Sequence, residues 1–283
     1  MVVELTETFE WEGRRIAWGR AGSGPAVVFC HGTPWSSRVW APYAEALAER
    51  YTVHLWDLPG YGRSSKRPDH PVHAGVHARA LSALLDHWGL DRPHVVAHDL
   101  GGLVALRAHL VEGAACSSLF LVDVVAVPPS GSPFFRFVQD HPRVLGELPA
   151  YVHEAIVRAY VAGASHRDLA PEVLDALVEP WTGAEGQPAF YRQIEDYDLA
   201  LLEENERALP DLDLPVRVLW GTEDTWIPPD RAARLQDAIP GATVRLLPEA
   251  GHLIQYDASE ELYDELAAWL ASQDVRGAQP SAG

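Results

Sequence analysis

Apolar positions change period along the chain in a regular way. VVELTETFEW, a turn at EG and RRIAWGRAG read as two strands joined by a tight connection. PAVVFC (25–30) is a continuous apolar run, the signature of a strand covered on both faces. SSRVWAPYAEALAER then moves to helical spacing through Val39, Tyr43, Ala46 and Leu47, with Ser36 or Ser37 as N-cap. YTVHLWD (51–57) is again a strand, closed by the turn-rich LPGYGRSS. HARALSALLDHWG (77–89) is a helix stopped by Gly89, HVVAHD a buried strand, and GGLVALRAHLVEG a helix ending at Gly113. SSLFLVDVVAV (117–127) is the next strand.

Strands alternating with helices at this pace imply right-handed crossovers and a mostly parallel sheet. PPSGSP (128–133) interrupts the alternation, and from Phe134 to about Leu209 the pattern is helical throughout. Alternation resumes with VRVLWG (216–221), PDRAARLQDAI, ATVRLLP (242–248) and a last helix, SEELYDELAAWLAS. The expected architecture is therefore an α/β core, residues 1–127 and 210–275, carrying a helical cap at 128–209 and a flexible tail at 276–283.

Composition narrows the partners. Of 283 residues, 47% are hydrophobic and 22% charged, enough for a substantial core. A net charge of −18 lacks the basic surface that nucleic acid requires. Cys30 and Cys116 have no CxxC spacing and lie in apolar runs, so both are expected as reduced core thiols. The N-terminal MVVELTETFEWEG has neither a basic n-region nor an apolar h-region, and no apolar run is long enough for a membrane span. A cytoplasmic protein with no membrane partner is the expectation. Its partner is expected to be a small apolar or aromatic molecule.

Four signals fall at the C-terminal ends of expected strands, where open α/β sheets carry their sites. They are HGTP (31–34), HDLGG (98–102), GTED (221–224) and EAGH (249–252). Their order gives a turn residue Asp99, then the acid Asp224, then His252. With the DLPGYGRS loop (57–64), this order resembles the α/β-hydrolase fold superfamily over nearly the whole chain. The resemblance implies that Asp99 stands on a strained strand-to-helix turn in the place where many relatives hold serine. It further implies an oxyanion hole from the backbone N–H groups of Thr33 and Leu100, and Asp224 as the partner that orients His252. Asp123, at the end of FLVDVV, is the alternative acid.

A carboxylate on that turn changes the chemistry expected. Aspartate is ionised at neutral pH without help, and it suits displacement at saturated carbon rather than attack on an ester. An alkyl-enzyme ester on Asp99 would then be hydrolysed by water activated by His252. Such chemistry resembles epoxide hydrolases, haloalkane dehalogenases and fluoroacetate dehalogenases, and needs no cofactor or metal. Leu100 and Thr33 occupy the slots where haloalkane dehalogenases commonly carry halide donors, although HGTPWSS resembles their HGNPTSS segment. Leu100 and Leu103 stand where fluoroacetate dehalogenases carry arginines. The cap segment QPAFYRQIEDYD (187–198) resembles the epoxide-hydrolase YR segment and offers Tyr191 as the donor to the epoxide oxygen, with Tyr160 or Tyr151 as a second. Trp35, Trp181 and Trp226 are candidate pocket walls. Epoxide hydrolysis is the leading expectation, with haloalkane dehalogenation second and a non-hydrolytic ligand-binding or cofactor-independent relative third. His70, His73 and His77 have metal-like spacing, but Pro71 and Gly75 point to a solvated loop.

Overall fold

The computed structural model describes residues 3–277. Two N-terminal strands, β1 (Glu7–Trp11) and β2 (Arg14–Ala21), form a hairpin. β3 (Ala26–Cys30) leads through a short 3-10 turn into α1 (Ala41–Leu47), then come β4 (Thr52–Trp56) and α2 (Ala74–Trp88). β5 (His94–His98), α3 (Leu100–Leu110) and β6 (Ser118–Val122) follow. The helical insertion holds α4 (Pro133–Asp140), α5 (Pro142–Gly146), α6 (Ala150–Ala162), α7 (Pro171–Val178), α8 (Gly183–Glu195) and α9 (Leu199–Ala208). β7 (Val216–Gly221), α10 (Asp230–Ala238), β8 (Thr243–Leu247), α11 (Ile254–Asp257) and α12 (Ser259–Gly277) complete the chain. Of the tail expected at 276–283, residues 276 and 277 close α12, and the others lie outside the described residues.

The eight strands make one sheet in the order β1-β2-β4-β3-β5-β6-β7-β8, parallel from β4 onward. β5 and β6 are buried along their whole length, which is why their sequences read as unbroken apolar runs rather than as alternation. Every parallel crossover delivers a strand's C-terminal end to the same edge, and the insertion leaves the sheet at that edge after β6. The α/β-hydrolase arrangement follows, a mostly parallel sheet flanked by helices. Cys30 and Cys116 are buried and unpaired. Among the described residues, no helix is long and apolar enough to cross a membrane.

Two readings of the sequence are corrected. The strand expected at 117–127 stops at Val122, because Asp123 turns to a positive φ of 44° and ends the ladder. The solvated loop expected to lead into a helix at His77 ends sooner: α2 starts at Ala74 and buries His77 completely. Gly75 does not break the helix; a Cβ there would stand 3.2 Å from the His73 ring and, at an ordinary contact distance of 3.6 Å, beside the cap residue Leu201. His77 packs edge-on against Tyr61 at 5.6 Å, and neither ring nitrogen has a hydrogen-bond partner. Burial, aided by neighbouring His31 and His73, pushes its pKa down to about 3. Burial also lowers His98 to about 3.

Both rings stay neutral in the folded chain while the unfolded chain would protonate them below the ordinary 6.5. Unfolding therefore takes up protons between that value and about 3, and stability falls as pH falls through this window. Each ring contributes a slope of up to about 1.4 kcal/mol per pH unit. Urea unfolding of His77→Phe, measured from neutral to acid pH, is expected to show a shallower acid loss than the parent chain; an identical slope would contradict a neutral buried ring.

Candidate active site

The last residue of β5 is His98, and the chain turns into α3 at Asp99 with φ 53° and ψ −126°. An L-residue reaches that region only under strain, so the surroundings must hold it. They do so through the backbone: the Asp99 N–H donates to Val122 at 3.3 Å, and its carbonyl accepts from Val125 at 3.0 Å and from Gly102 at 2.9 Å. Gly101 allows the close packing, because a Cβ there would sit 2.5 Å from the carbonyl oxygen of His31. Gly32 does the same from the facing loop, where a Cβ would lie 2.3 Å from Asp99 Oδ1.

The turn presents a buried carboxylate to two sets of partners. Asp99 Oδ1 accepts from the Thr33 N–H at 2.6 Å, and Leu100, the first residue of α3, lies next to the carboxylate in the cavity wall. Asp99 Oδ2 lies 3.3 Å from His252 Nε2. His252 Nδ1 is 2.9 Å from Asp224 Oδ2, while Asp224 Oδ1 accepts from the Trp226 and Ile227 N–H groups at 2.8 Å each. His98 donates from Nε2 to the carbonyl of His252 at 2.8 Å and so steadies the ring from below the sheet. The sequence-predicted residues Asp99, Asp224, His252, Thr33 and Leu100 thus converge on one point.

Electrostatics follow from the burial of this group. Burial alone would push His252 down, but Asp224 first and Asp99 second outweigh it and hold the ring's pKa well above the ordinary value. Burial would raise Asp99, and the hydrogen bond and charge of His252 reverse that and lower it. Asp123, the alternative acid, has Oδ1 on the Gly221 N–H at 2.9 Å, and its Oδ2 is buried without a partner. Burial, then the charge of Asp224, raise its pKa well above the carboxylate range, so it stays protonated while Asp224 holds His252.

A cavity of about 30 Å³ opens over Asp99. Its walls include Leu100, Phe135, Tyr160, Tyr197, Trp226 and Ile227, with Ser130 and Ser132 of the PPSGSP loop at one side. Burial and the charge of Asp99 raise the pKa of Tyr160, and burial raises Tyr197 to about 12, so both phenols keep their protons. The Tyr197 hydroxyl is buried with no hydrogen-bond partner. Trp226 is stacked on Tyr160 at 4.2 Å and on His252 at 5.2 Å.

Other expected site residues lie elsewhere. Tyr191 is absent from the cavity wall, because its face of α8 meets α6 and its hydroxyl bonds His153 Nδ1 at 2.9 Å. Trp181 is fully buried, and its indole donates to the Pro34 carbonyl at 2.6 Å, pinning the cap to the HGTP loop. Trp35 is fully buried behind Trp226, stacked at 5.7 Å, and is not a cavity wall. Tyr151 is 76% exposed. Of the tryptophans singled out, Trp226 alone reaches the cavity. Tyr197 escaped the sequence reading because it follows the end of α8 at Glu195, where helical spacing no longer orients side chains. The second tyrosine of QPAFYRQIEDYD was the available signal. Among the described residues, no group of three or more His, Cys, Asp or Glu side chains could hold a metal ion.

Asp257 joins the histidine loop to the cap. Its carboxylate accepts from the Gly251 N–H at 2.8 Å and from Ser165 Oγ, His166 N and Arg167 N at 2.6, 2.8 and 3.0 Å.

Comparison with known proteins agrees with this architecture. A family profile described as alpha/beta hydrolase fold matches residues 25–259. An alpha/beta hydrolase fold protein from Burkholderia ambifaria is 44% identical, with a TM-score of 0.91 over 94% of this chain and 98% of that one. A fluoroacetate dehalogenase from a Burkholderia species is 40% identical over 121 residues, 41% of this chain and 40% of its own. The structure of the epoxide hydrolase CorEH is 21% identical, with a TM-score of 0.81 over 94% of this chain and 98% of that one, a likeness of fold alone.

The contrast between the two acids is measurable without a substrate. A proton shared by His252 Nδ1 and Asp224 is expected to give a far-downfield proton NMR line. Asp224→Ala should abolish it, and Asp123→Asn, which replaces one neutral group by another, should leave it in place.

Proposed function

The chain belongs to the alpha/beta hydrolase fold family, and on that premise we propose that it hydrolyses small, neutral epoxides through a covalent ester on Asp99. The observation that carries this reading is a buried carboxylate flanked by an oxyanion donor and a histidine, facing two protonated phenols across one narrow cavity. In the first step Asp99 would attack a ring carbon, the carbon–oxygen bond would break, and the departing oxygen would take a proton from Tyr160 or Tyr197. In the second step His252 would remove a proton from water, and the hydroxide would add to the Asp99 carboxyl carbon. The Thr33 and Leu100 N–H groups would hold the tetrahedral oxyanion. Collapse would expel the diol oxygen, which takes the proton held by His252, while the proton left on the Asp99 carboxyl returns to the phenolate, restoring the carboxylate with one oxygen from water.

The electrostatics support the order of steps. With Asp99 ionised, two carboxylates keep a proton on His252, which in that form is no base. Alkylation neutralises Asp99 and withdraws one of them, so the ring's pKa falls when a base is needed. Trp226, stacked on the ring, shields it from bulk water.

The cavity bears on the substrate. No lysine or arginine lines it, so its wall offers an anionic substrate no cationic side chain to bind. Apolar walls favour an apolar molecule, and the narrow space over Asp99 favours a small one. Dehalogenation is the second reading, favoured by the 121-residue identity with a fluoroacetate dehalogenase. A leaving halide would draw on the same two phenols, and the missing cation disfavours a haloacid.

With styrene oxide as probe, intact-mass spectrometry of His252→Gln is expected to show a stable adduct on Asp99. Asp99→Ala should show neither adduct nor turnover, and turnover persisting in it would end this reading. In heavy-oxygen water, a single turnover should label Asp99 rather than the diol. Tyr160→Phe and Tyr197→Phe should each slow ester formation, about 100-fold if one phenol is the principal donor. Because Asp99 is lowered in the free site and Asp224 still raises His252 in the ester, ester formation should persist in acid while hydrolysis fails, so wild-type adduct should build up as pH falls. Halide release from 1-bromobutane exceeding turnover of any epoxide would favour the second reading.

A further inference from the structure

Gln193 on α8 is only 4% exposed and touches none of the groups that the reaction uses directly. Its side-chain oxygen accepts from the Thr33 hydroxyl and, at 3.0 Å, from the Tyr61 hydroxyl. The Tyr61 hydroxyl also lies 3.3 Å from Thr33 Oγ1, which closes a buried triangle of three side chains from three segments. Thr33 is the residue whose backbone N–H meets Asp99 Oδ1 at 2.6 Å. One residue further on, Trp181 of the cap bonds the Pro34 carbonyl at 2.6 Å. Two cap side chains therefore hold consecutive residues of the loop that supplies the oxyanion donor.

Nothing else in the HGTP loop fixes the Thr33 side chain. In so buried a site a hydrogen bond is strong and its geometry is imposed on whatever it holds. Gly32, directly before Thr33, has no side chain to restrain the loop from the other side. We propose that Gln193 is a positioning residue that sets the Thr33 N–H on Asp99, so that the cap aligns the oxyanion hole from above. The proposal rests on the covalent reading of Asp99.

The two halves of that reaction feel the donor differently. During ester formation the Asp99 carboxylate loses negative charge, and the Thr33 hydrogen bond weakens. During hydrolysis negative charge collects on the Asp99 carbonyl oxygen, and the same bond strengthens. A displaced donor thus raises the barrier of the second half and spares the first. A merely structural role for Gln193 would slow both halves alike.

The test is a single-turnover experiment on the full chain with styrene oxide, following ester formation and decay by rapid quench and intact mass. Gln193→Met, of similar length but with no acceptor, is expected to slow ester decay about tenfold and leave formation within about twofold. Gln193→Glu keeps an acceptor oxygen in place and should return decay to within about threefold of the parent. Equal slowing of both halves, or a glutamate variant as impaired as the methionine one, would overturn the proposal. If Gln193→Met does not fold, Tyr61→Phe removes a second edge of the same triangle and must shift the formation-to-decay ratio in the same direction. An unshifted ratio in folded Tyr61→Phe then overturns the proposal. Absence of any adduct in His252→Gln with either styrene oxide or 1-bromobutane defeats the Asp99 reading and this proposal with it; an adduct with an unshifted ratio defeats this proposal alone.

Discussion

The backbone of Asp99 is the constraint from which the site is built. A left-handed φ of 53° between a buried strand and a helix is unfavourable for a residue with a Cβ, and the chain around it is arranged to hold it there. β6 supplies a backbone acceptor at Val122, the segment after it a donor at Val125, and glycines at 32 and 101 let the HGTP loop and α3 close around the turn. Relaxing that φ would swing the carboxylate away from the Thr33 N–H and from His252 together. Rigid parallel strands on either side explain why the strain persists. β5 is hydrogen-bonded on both edges and buried throughout, so it has nowhere to yield.

How far the sequence revealed this depends on which forces place each residue. Asp99, Asp224 and His252 all sit at strand ends, and strand periodicity with glycine-rich turns is a local signal that survives in one sequence. The choice between Asp224 and Asp123 was not local. Both follow apolar strands, and the choice comes from the loop after β7, which curls so that the Trp226 and Ile227 N–H groups and His252 all face Asp224. Asp123 points instead at the start of that loop, through Gly221. The cap was legible as an uninterrupted helical stretch, but its inward faces were not. Tyr191 and Tyr197 belong to one short segment, yet one meets His153 and the other meets the cavity. Their orientation is set by how α8 packs on α6, a relation with no trace in spacing. His77 was obscured for the same reason, since the ring it packs against, Tyr61, comes from the loop after β4.

Buried tryptophans illustrate the limit of composition. Ten tryptophans invite an aromatic pocket, yet Trp35 and Trp181 are structural, one packed behind Trp226 and the other tying cap to core. Trp226 differs because it is placed by the acid's own loop, and its stacking on His252 follows from the same curl that completes Asp224. The acid, the ring that shields the histidine and one cavity wall are thus three outcomes of a single loop conformation.

Asp257 gives the cap a mechanical role. Its one carboxylate ties the backbone beside His252 to the loop after α6, so the cap and the histidine loop are joined directly. A guest bulky enough to prise the cap upward would carry the histidine loop with it and pull the ring off Asp224. On the proposed reading, oversized molecules would then be rejected by disarming the site rather than by colliding with a wall. Selectivity for size would then be a property of linkage stiffness, set some distance from any surface the substrate touches.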